Sequence, residues 1–297
     1  MSSWVLLAIF AQLLMAVVIF VDRYMLTHRR GMGHPVVYAF YVALLSGIVV
    51  VLLPFGVVTA PNLVVIEISV VTSALFIAAL IFLYTALKEG HASDVMPVVA
   101  AFSAVTSFVC ASLFLSEHLP AHFLVAVTLF IAGTFFISRL RFTYRSLFLV
   151  ACAGFLFGLS TFLIKFIFDV TTFWDGFFWT RMANVIGAAI LLLWPGNWQT
   201  IIHGTRASSS GTRWIVIGNK MLAGVANALS FFAISLGSVS VVNSLGGLQF
   251  AFLPVIAFLF AGYFPSVLKS EIFHDKSHHK ILGIALIVVG FAALAWS

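Results

Sequence analysis

Two cationic side chains lie deep inside apolar stretches of the sequence. Lys220 follows Arg213 by seven residues, about 10 Å into one stretch, and Arg181 reaches about 13 Å into another from the opposite end. A charge in hydrocarbon is costly, so such residues commonly mark a ligand pathway. Together they could hold an anionic group, Arg through its planar fork and Lys as a point charge. Either side chain could instead snorkel to the membrane surface, or pair with Asp175 or Glu67.

Polar and aromatic residues recur around these two cations at helical spacing. Gly224, Asn227 and Phe231 follow Lys220 in steps of four, three and four, which places them on one helix face. Asn184 follows Arg181 by three residues. The predicted substrate-binding residues are Lys220, Asn227, Phe231, Arg181, Asn184, Asn243, Gln249, Tyr84 and Gln12.

A third apolar stretch has an unusual composition for a helix that faces lipid. It contains Asn243, Gly246, Gly247, Gln249 and Pro254. Polar or irregular helix is tolerated in a membrane where it lines a cavity. Close helix packing through small residues explains the glycines equally well. We therefore predict gating or structural roles for Gly246, Gly247 and Pro254, and for Pro97 in an earlier stretch.

The elements that would position these residues are ten apolar stretches, which fill most of the 297 residues. Mean hydropathy is +1.17 and only 8% of residues are charged, which excludes a soluble globular protein. Each stretch is long enough to cross a bilayer as a helix. The predicted crossings are Trp4–Val21, Pro35–Val58, Ile68–Leu87, Val95–Leu115, Phe123–Ile137, Leu147–Phe168, Phe173–Trp194, Trp214–Leu236, Val241–Phe264 and Ile281–Trp296.

The second five stretches repeat the first five, which predicts an all-α membrane protein of two halves, residues 1–141 and 145–297. At a constant offset of 142, one helix face in the first stretch matches one in the sixth. The matched positions are Gln12 with Gly154, Ala16 with Gly158, Ile19 with Thr161, and Arg23 with Lys165. Five crossings per half would invert the second half, as in many secondary transporters. Arg23 and Lys165 are then either anchors at the membrane surface or gating residues, and Gly158 is gating or structural.

The basic residues predict the orientation in the membrane. Of the 15 Lys and Arg residues, 12 lie in the loops after the odd-numbered crossings, and only Lys165 lies on the opposite side. Cytoplasmic loops collect positive charge, so both termini are expected outside. The net charge of +6 has the same cause and does not indicate a nucleic-acid partner.

Several short motifs resemble a known family. Residues 84–87 end in alanine and leucine before a tight loop with Ala92-Ser93, Pro97 follows early in the next helix, residues 113–117 read Leu-Phe-Leu-Ser-Glu, and Gly133 lies in the helix after that. This order is similar to the EamA-type unit of the drug/metabolite transporter superfamily. The second half ends in a similar way, with residues 280–283 followed by Gly290.

The resemblance implies a ten-helix secondary transporter whose cavity is lined by segments 1, 3, 4, 6, 8 and 9. Some members of the superfamily have cytoplasmic termini, whereas the charge count here places the termini outside. We expect a bacterial inner-membrane exporter of a small polar or anionic metabolite, working by alternating access as a monomer or homodimer. The alternative is a membrane-embedded enzyme or a non-transporting receptor.

The energy source is expected to be a proton or an exchanged solute. Glu67 and Asp94 could carry the proton, although each could also be an ordinary carboxylate at a helix N-terminus. The sequence has no Walker-type phosphate loop, which argues against ATP hydrolysis. The histidines lie in loops or at segment ends, so we expect neither a metal site nor a cofactor, and no enzymatic activity.

The orientation is testable with single cysteines. We expect a cysteine placed at either terminus to react with a membrane-impermeant reagent added outside, and one in the 139–145 link to react only from the cytoplasm. Cys110 and Cys152 lie inside apolar stretches and serve as the unlabelled background. Termini that react from the cytoplasm alone would contradict the predicted orientation.

Overall fold

The computed structural model describes residues 3–28, 35–89, 92–115, 121–137, 143–206, 210–259 and 278–295. Within these ranges the regular structure is helical and contains no strand. The predicted all-α class is therefore confirmed for the described part of the chain.

Helix follows helix through the described ranges. The described helices of the first half are α1 (Ser3–His28), α2 (Pro35–Leu45), α3 (Leu63–Glu89), α4 (Ala92–Phe114) and α5 (Ala121–Ile137). Those of the second half are α6 (Tyr144–Val170), α7 (Phe173–Leu193), α8 (Asn197–Arg206), α9 (Ser210–Leu236), α10 (Val239–Ser244), α11 (Leu248–Leu259) and α12 (His278–Ala295).

Seven helical segments in the described residues are long and apolar enough to cross a membrane. These segments are Ser3–Val21, Pro35–Phe55, Leu63–Glu89, Val95–Phe114, Tyr144–Val170, Phe173–Leu193 and Trp214–Leu236. Two shorter apolar helical stretches, Phe123–Thr134 and Val239–Phe252, accompany them. A bilayer core of about 30 Å needs roughly 20 helical residues, so the chain is a multi-pass membrane protein.

Two predicted crossings are irregular in the structure. The second continues from α2 as a 3₁₀ helix, Ser46–Phe55, which contains Pro54 and ends at Gly56. Gly56 has a φ of 66°, a left-handed conformation that glycine adopts without strain. The ninth crossing is divided into α10 and α11 by the short 3₁₀ turn Leu245–Gly247. The apolar stretches did not predict α8, because this helix contains too few apolar residues to form such a stretch.

Close approach through glycine fixes α6 against α4. A Cβ atom added at Gly158 would lie 2.5 Å from the Ser103 carbonyl oxygen and 2.6 Å from Thr106 Cβ. A Cβ at Gly154 would lie 2.7 Å from the Val99 carbonyl oxygen. All three distances are too short for any side chain, so α6 and α4 pack backbone to backbone. Membrane helices commonly associate in this way, since lipid gives no hydrophobic driving force.

The first helix of the chain packs against the second half. α1 lies along α9 and α11, and Asn219 on α9 donates its Nδ2 hydrogen to the Val18 carbonyl oxygen at 3.1 Å. At the other end of α1, the Trp4 ring covers Gly237. α6 makes the corresponding contacts with the first half, since it lies along α3 and α4.

Glycines also bring α5 and α12 close together. α5 and α12 lie side by side, and Gly133 is close enough to α12 that a Cβ would lie 2.6 Å from the Gly283 carbonyl oxygen. A Cβ at Gly290 would lie 3.0 Å from Leu129 Cβ and 3.2 Å from the Ala126 carbonyl oxygen on α5. Glycine therefore lies on both sides of this contact.

The packing of α6 generates a stability prediction. We expect Gly158→Ala to lower the free energy of unfolding by about 1–3 kcal/mol, because the new methyl group overlaps the α4 backbone. Gly224→Ala is the matched control, because nothing lies within 4 Å of its added Cβ. Alanine favours a helix over glycine by up to about 1 kcal/mol, so the control should be neutral or more stable. Thermal unfolding in detergent measures both, and equal stability of the two variants would contradict the close contact.

Candidate functional site

Arg181 on α7 is buried among phenylalanine rings that come from three helices. Only 7% of its surface is exposed. Its guanidinium carbon lies 4.9 Å from the ring centroid of Phe231 on α9, 5.7 Å from that of Phe76 on α3, and 5.8 Å from that of Phe177 on α7. These distances allow cation–π attraction. We call Phe76, Phe177 and Phe231 the aromatic cage.

The aromatic cage supplies no hydrogen-bond acceptor of ordinary strength. Among the described residues, Arg181 Nε has no hydrogen-bond partner, and no carboxylate lies within ion-pair distance of the guanidinium. A buried charge usually has both. The site is therefore electrostatically incomplete in the described part of the protein.

Further buried polar atoms accompany Arg181 on α7 and α3. Asn184 is 1% exposed, and its Nδ2 has no partner in the described part of the chain. The same holds for the hydroxyl oxygens of Ser69, Thr72 and Ser73 on α3. A Cβ at Gly187 on α7 would lie 3.2 Å from Ser73 Oγ, which places this part of α3 directly against α7. The Ser73 hydroxyl therefore lies at the α3–α7 contact, and the Asn184 amide lies one turn from Arg181 along α7.

Asp175 precedes Arg181 on α7 but has other partners. Its Oδ1 accepts from the Thr59 backbone N–H at 2.6 Å, and its Oδ2 accepts from the hydroxyls of Thr59 at 3.0 Å and Thr172 at 2.8 Å. Trp179 Nε1 donates to the Thr59 carbonyl oxygen at 3.1 Å. These bonds fix the connection before α3 to the start of α7. Glu67 is exposed on α3, so neither carboxylate that the sequence offered as a partner is bonded to Arg181.

Lys220 lies elsewhere, against a pair of tyrosines. Its Nζ is 4.7 Å from the ring centroid of Tyr38 on α2, and that ring meets the Tyr84 ring on α3 edge to face at a centroid distance of 4.7 Å. Phe231, which contacts Arg181, lies eleven residues along α9 from Lys220. That separation is about 16 Å of helix axis. The structure therefore does not bring the two predicted cations together.

The other predicted polar residues form helix–helix or local bonds. Asn243 Nδ2 donates to Ser107 Oγ at 2.9 Å and Ser103 Oγ at 3.2 Å, which joins α10 to α4. Asn227 Nδ2 donates to the Ala223 carbonyl oxygen of its own helix at 2.9 Å. Gln12 on α1 is buried, and Gln249 on α11 is half-buried.

The residues predicted to be gating or structural have distinct surroundings. Lys165 Nζ lies 3.4 Å from Asp169 Oδ1, one turn along α6. Pro97 is buried in α4. Gly247 approaches α5, where an added Cβ would lie 2.5 Å from Thr134 Oγ1, whereas Gly246 has nothing within 4 Å of an added Cβ. The side chains of Arg23, Asp94 and Pro254 lie outside the described residues.

Sequence reasoning missed the aromatic cage residues Phe76 and Phe177, and the hydroxyl row on α3. The row had a usable signal, since Ser69, Thr72 and Ser73 repeat at steps of three and one within an apolar stretch and so share one helix face. The cage had none. Phenylalanine occurs 32 times in the sequence, and nothing in its spacing singles out the rings that face Arg181.

Comparison with known proteins shows the fold. No family model and no curated protein matches the chain. A solved chain described only as a crystal structure of a protein matches with a TM-score of 0.67 over 99% of this chain and 97% of its own length. The two sequences are 17% identical, so this likeness shows that the arrangement of helices is shared and goes no further.

The bonds of Asn243 generate a second stability prediction. We expect Asn243→Ala to lower the free energy of unfolding by about 0.6–2 kcal/mol, the usual range for hydrogen bonds between membrane helices. Asn227→Ala is the matched control, because among the described residues the Asn227 amide bonds to Ala223 of its own helix and to no other helix. Thermal unfolding in detergent should separate the two variants. An Asn243→Ala protein as stable as the control would show that the α10–α4 bonds contribute nothing.

Proposed function

We propose that this protein is a secondary active transporter that moves a small polar or anionic metabolite by alternating access. The observation that carries the proposal is Arg181, a charge buried in a membrane-crossing helix without a hydrogen bond or ion pair from the described residues. Ionisable residues inside membrane proteins typically mark substrate or ion pathways. A substrate anion would supply the missing partner.

We further propose that the chain consists of two inverted repeats of five crossings, residues 1–141 and 145–297. The exchange of helix contacts supports this. α6, the first helix of the second half, packs on α3 and α4, and α1 packs on their counterparts α9 and α11. Equivalent helices also pair across the halves, namely α2 with α7, α4 with α10, and α5 with α12.

Contacts between helix ends support the alternating direction of the crossings. Arg145 at the start of α6 pairs with Glu89 at the end of α3 at 3.1 Å, so these two ends share one side of the membrane. Thr59, in the connection before α3, bonds to Asp175 at the start of α7. Five crossings per half would orient the halves oppositely and give one central site two alternative exits.

One pair of helices departs from this reciprocal pattern of contacts, and the departure supports a conformational role for α9. α3 packs closely along α7, whereas the equivalent helices α9 and α2 touch at few positions. α9 is also the least buried of the seven spanning segments, and Gly224 on it is uncrowded. We propose that α9 closes on α2 in the second state of the cycle, when the α3–α7 contact opens.

Charge and resemblance complete the proposal. By the charge count, the Thr59–Asp175 contact would lie on the outer side, and we propose that the described state is closed there. Membership of the EamA-type group of the drug/metabolite transporters fits this arrangement. We propose a bacterial inner-membrane exporter, monomeric or homodimeric, driven by protons or exchange. Glu67 and Asp94 are the carboxylates proposed for coupling.

Reconstitution tests the function. We expect the purified protein in liposomes to accumulate an anionic metabolite from a screen only when a pH gradient or internal exchange solute is present. Arg181→Gln should abolish that accumulation, and Arg145→Gln, at an exposed ion pair, should retain it. Binding without movement would indicate a receptor, and chemical conversion of the solute would indicate an enzyme. Either result contradicts the proposal.

Lys220→Met tests whether the second cation also serves transport. Methionine keeps the apolar length of the side chain and removes the charge that faces Tyr38. We expect normal abundance and a loss of most transport activity, measured in the same liposomes. Lys88→Met, at an exposed position near the end of α3, is the control. Full transport by Lys220→Met would exclude a functional role for Lys220.

A further inference from the structure

We infer that the aromatic cage and Arg181 select an organic anion with a single negative charge and an apolar body, of which an arylalkyl monocarboxylate is the simplest example. This inference rests on the proposed function, because it names the class of solute for the same site. It follows from three properties of the described residues: the net charge of the site, the character of its walls, and the kind of hydrogen-bonding groups beside it.

The charge of the site favours a monoanion. Arg181 is the one cation that the described residues place against the aromatic cage. Lys220 lies against Tyr38, and Lys165 is paired with Asp169. One negative charge would neutralise the guanidinium, whereas a dianion would leave a buried excess charge without a partner.

The walls favour an apolar body next to the anionic group. Phe76, Phe177 and Phe231 all lie within 6 Å of the guanidinium carbon, and a further ring, Phe157 on α6, packs against Phe76 at a centroid distance of 5.9 Å. A carboxylate can pair with the guanidinium through two parallel N–H donors, which is the geometry that arginine provides. The rest of such a ligand would then contact phenyl rings, with which an apolar or aromatic body packs favourably.

The neighbouring polar groups argue against a zwitterion. Asn184, one turn from Arg181 on α7, has a donor in Nδ2, and Ser73 at the α3–α7 contact has a hydroxyl that can donate to a carboxylate or to a second polar group of the ligand. None of these side chains is a carboxylate. Asp175, the described buried carboxylate on α7, already accepts hydrogen bonds from Thr59 and Thr172. A ligand ammonium group would therefore have no acidic partner here.

A matched set of probes tests the class. The full-length protein in nanodiscs is titrated by calorimetry with 3-phenylpropionate, phenylalanine, 3-phenylpropionamide and phenylsuccinate, which share a phenyl body and carry charges of minus one, zero as a zwitterion, zero, and minus two. We expect 3-phenylpropionate to bind at least about tenfold more tightly than each of the others, since one lost charge-assisted hydrogen bond costs about that factor. Equal or tighter binding of phenylalanine or phenylsuccinate would overturn the monoanion class.

Two site variants, Arg181→Gln and Asn184→Ala, and one control, Arg145→Gln, test whether binding occurs at this site. Arg181→Gln should abolish 3-phenylpropionate binding, and Arg145→Gln should leave it unchanged. Asn184→Ala keeps the test valid if Arg181→Gln misfolds. Asn184 Nδ2 makes no bond to a described residue, so the substitution removes no described hydrogen bond. We expect Asn184→Ala to weaken 3-phenylpropionate binding several-fold. Unchanged binding in both site variants would overturn the assignment. Anion accumulation in liposomes that depends on Arg181 while phenylsuccinate is preferred would reject the monoanion class and leave the transport proposal standing.

Discussion

The close approach of α6 to α4 is the contact on which the rest of the helix arrangement depends. In lipid, helices gain little from burying apolar surface against one another, so association relies on backbone proximity and interhelical hydrogen bonds. Gly154 and Gly158 allow that proximity, and Asn243 adds bonds from α10 to the same helix, α4. α6 thereby lies between α3 and α4, while α1 lies along α9 and α11. Once these two helices are fixed, the interior faces of α3, α7 and α9 converge on Arg181.

Arg181 then becomes the electrostatic focus of the protein. Phenyl rings attract a cation but do not accept a proton in a strong hydrogen bond, so the aromatic cage compensates the charge only in part. The carboxylate closest in sequence on α7, Asp175, is instead used to fix the connection before α3. The arrangement leaves the guanidinium stabilised enough to remain buried and still able to gain free energy from an anion. The transport proposed for this protein would need that balance, because a permanently neutralised arginine would have no affinity to offer a substrate.

The sequence was sufficient to predict the all-α class and the depth of Arg181 in its helix, but it did not predict which side chains meet. Apolar runs and their lengths are local properties, so they predicted helices well, and the depth of Arg181 along its own helix followed by counting residues. Which faces meet is a property of three-dimensional packing. Lys220 and Arg181 therefore looked like one site from their depths, whereas the structure separates them along α9. Phe76 was invisible for the same reason, since one phenylalanine among 32 carries no positional signal.

Spin-label distances test the proposed alternating access directly: α9 is expected to move relative to α2, while α5 and α12 remain in contact. With the two native cysteines replaced, labels at exposed Leu44 on α2 and Val225 on α9 report the moving pair, and labels at exposed Val125 on α5 and Val289 on α12 report the reference pair. Pulsed electron–electron double resonance in nanodiscs should show two distance populations for the Leu44–Val225 pair, and their ratio should change when substrate is added. The Val125–Val289 pair should show one population that substrate does not change. A single distance for the Leu44–Val225 pair, identical with and without substrate, would contradict the account.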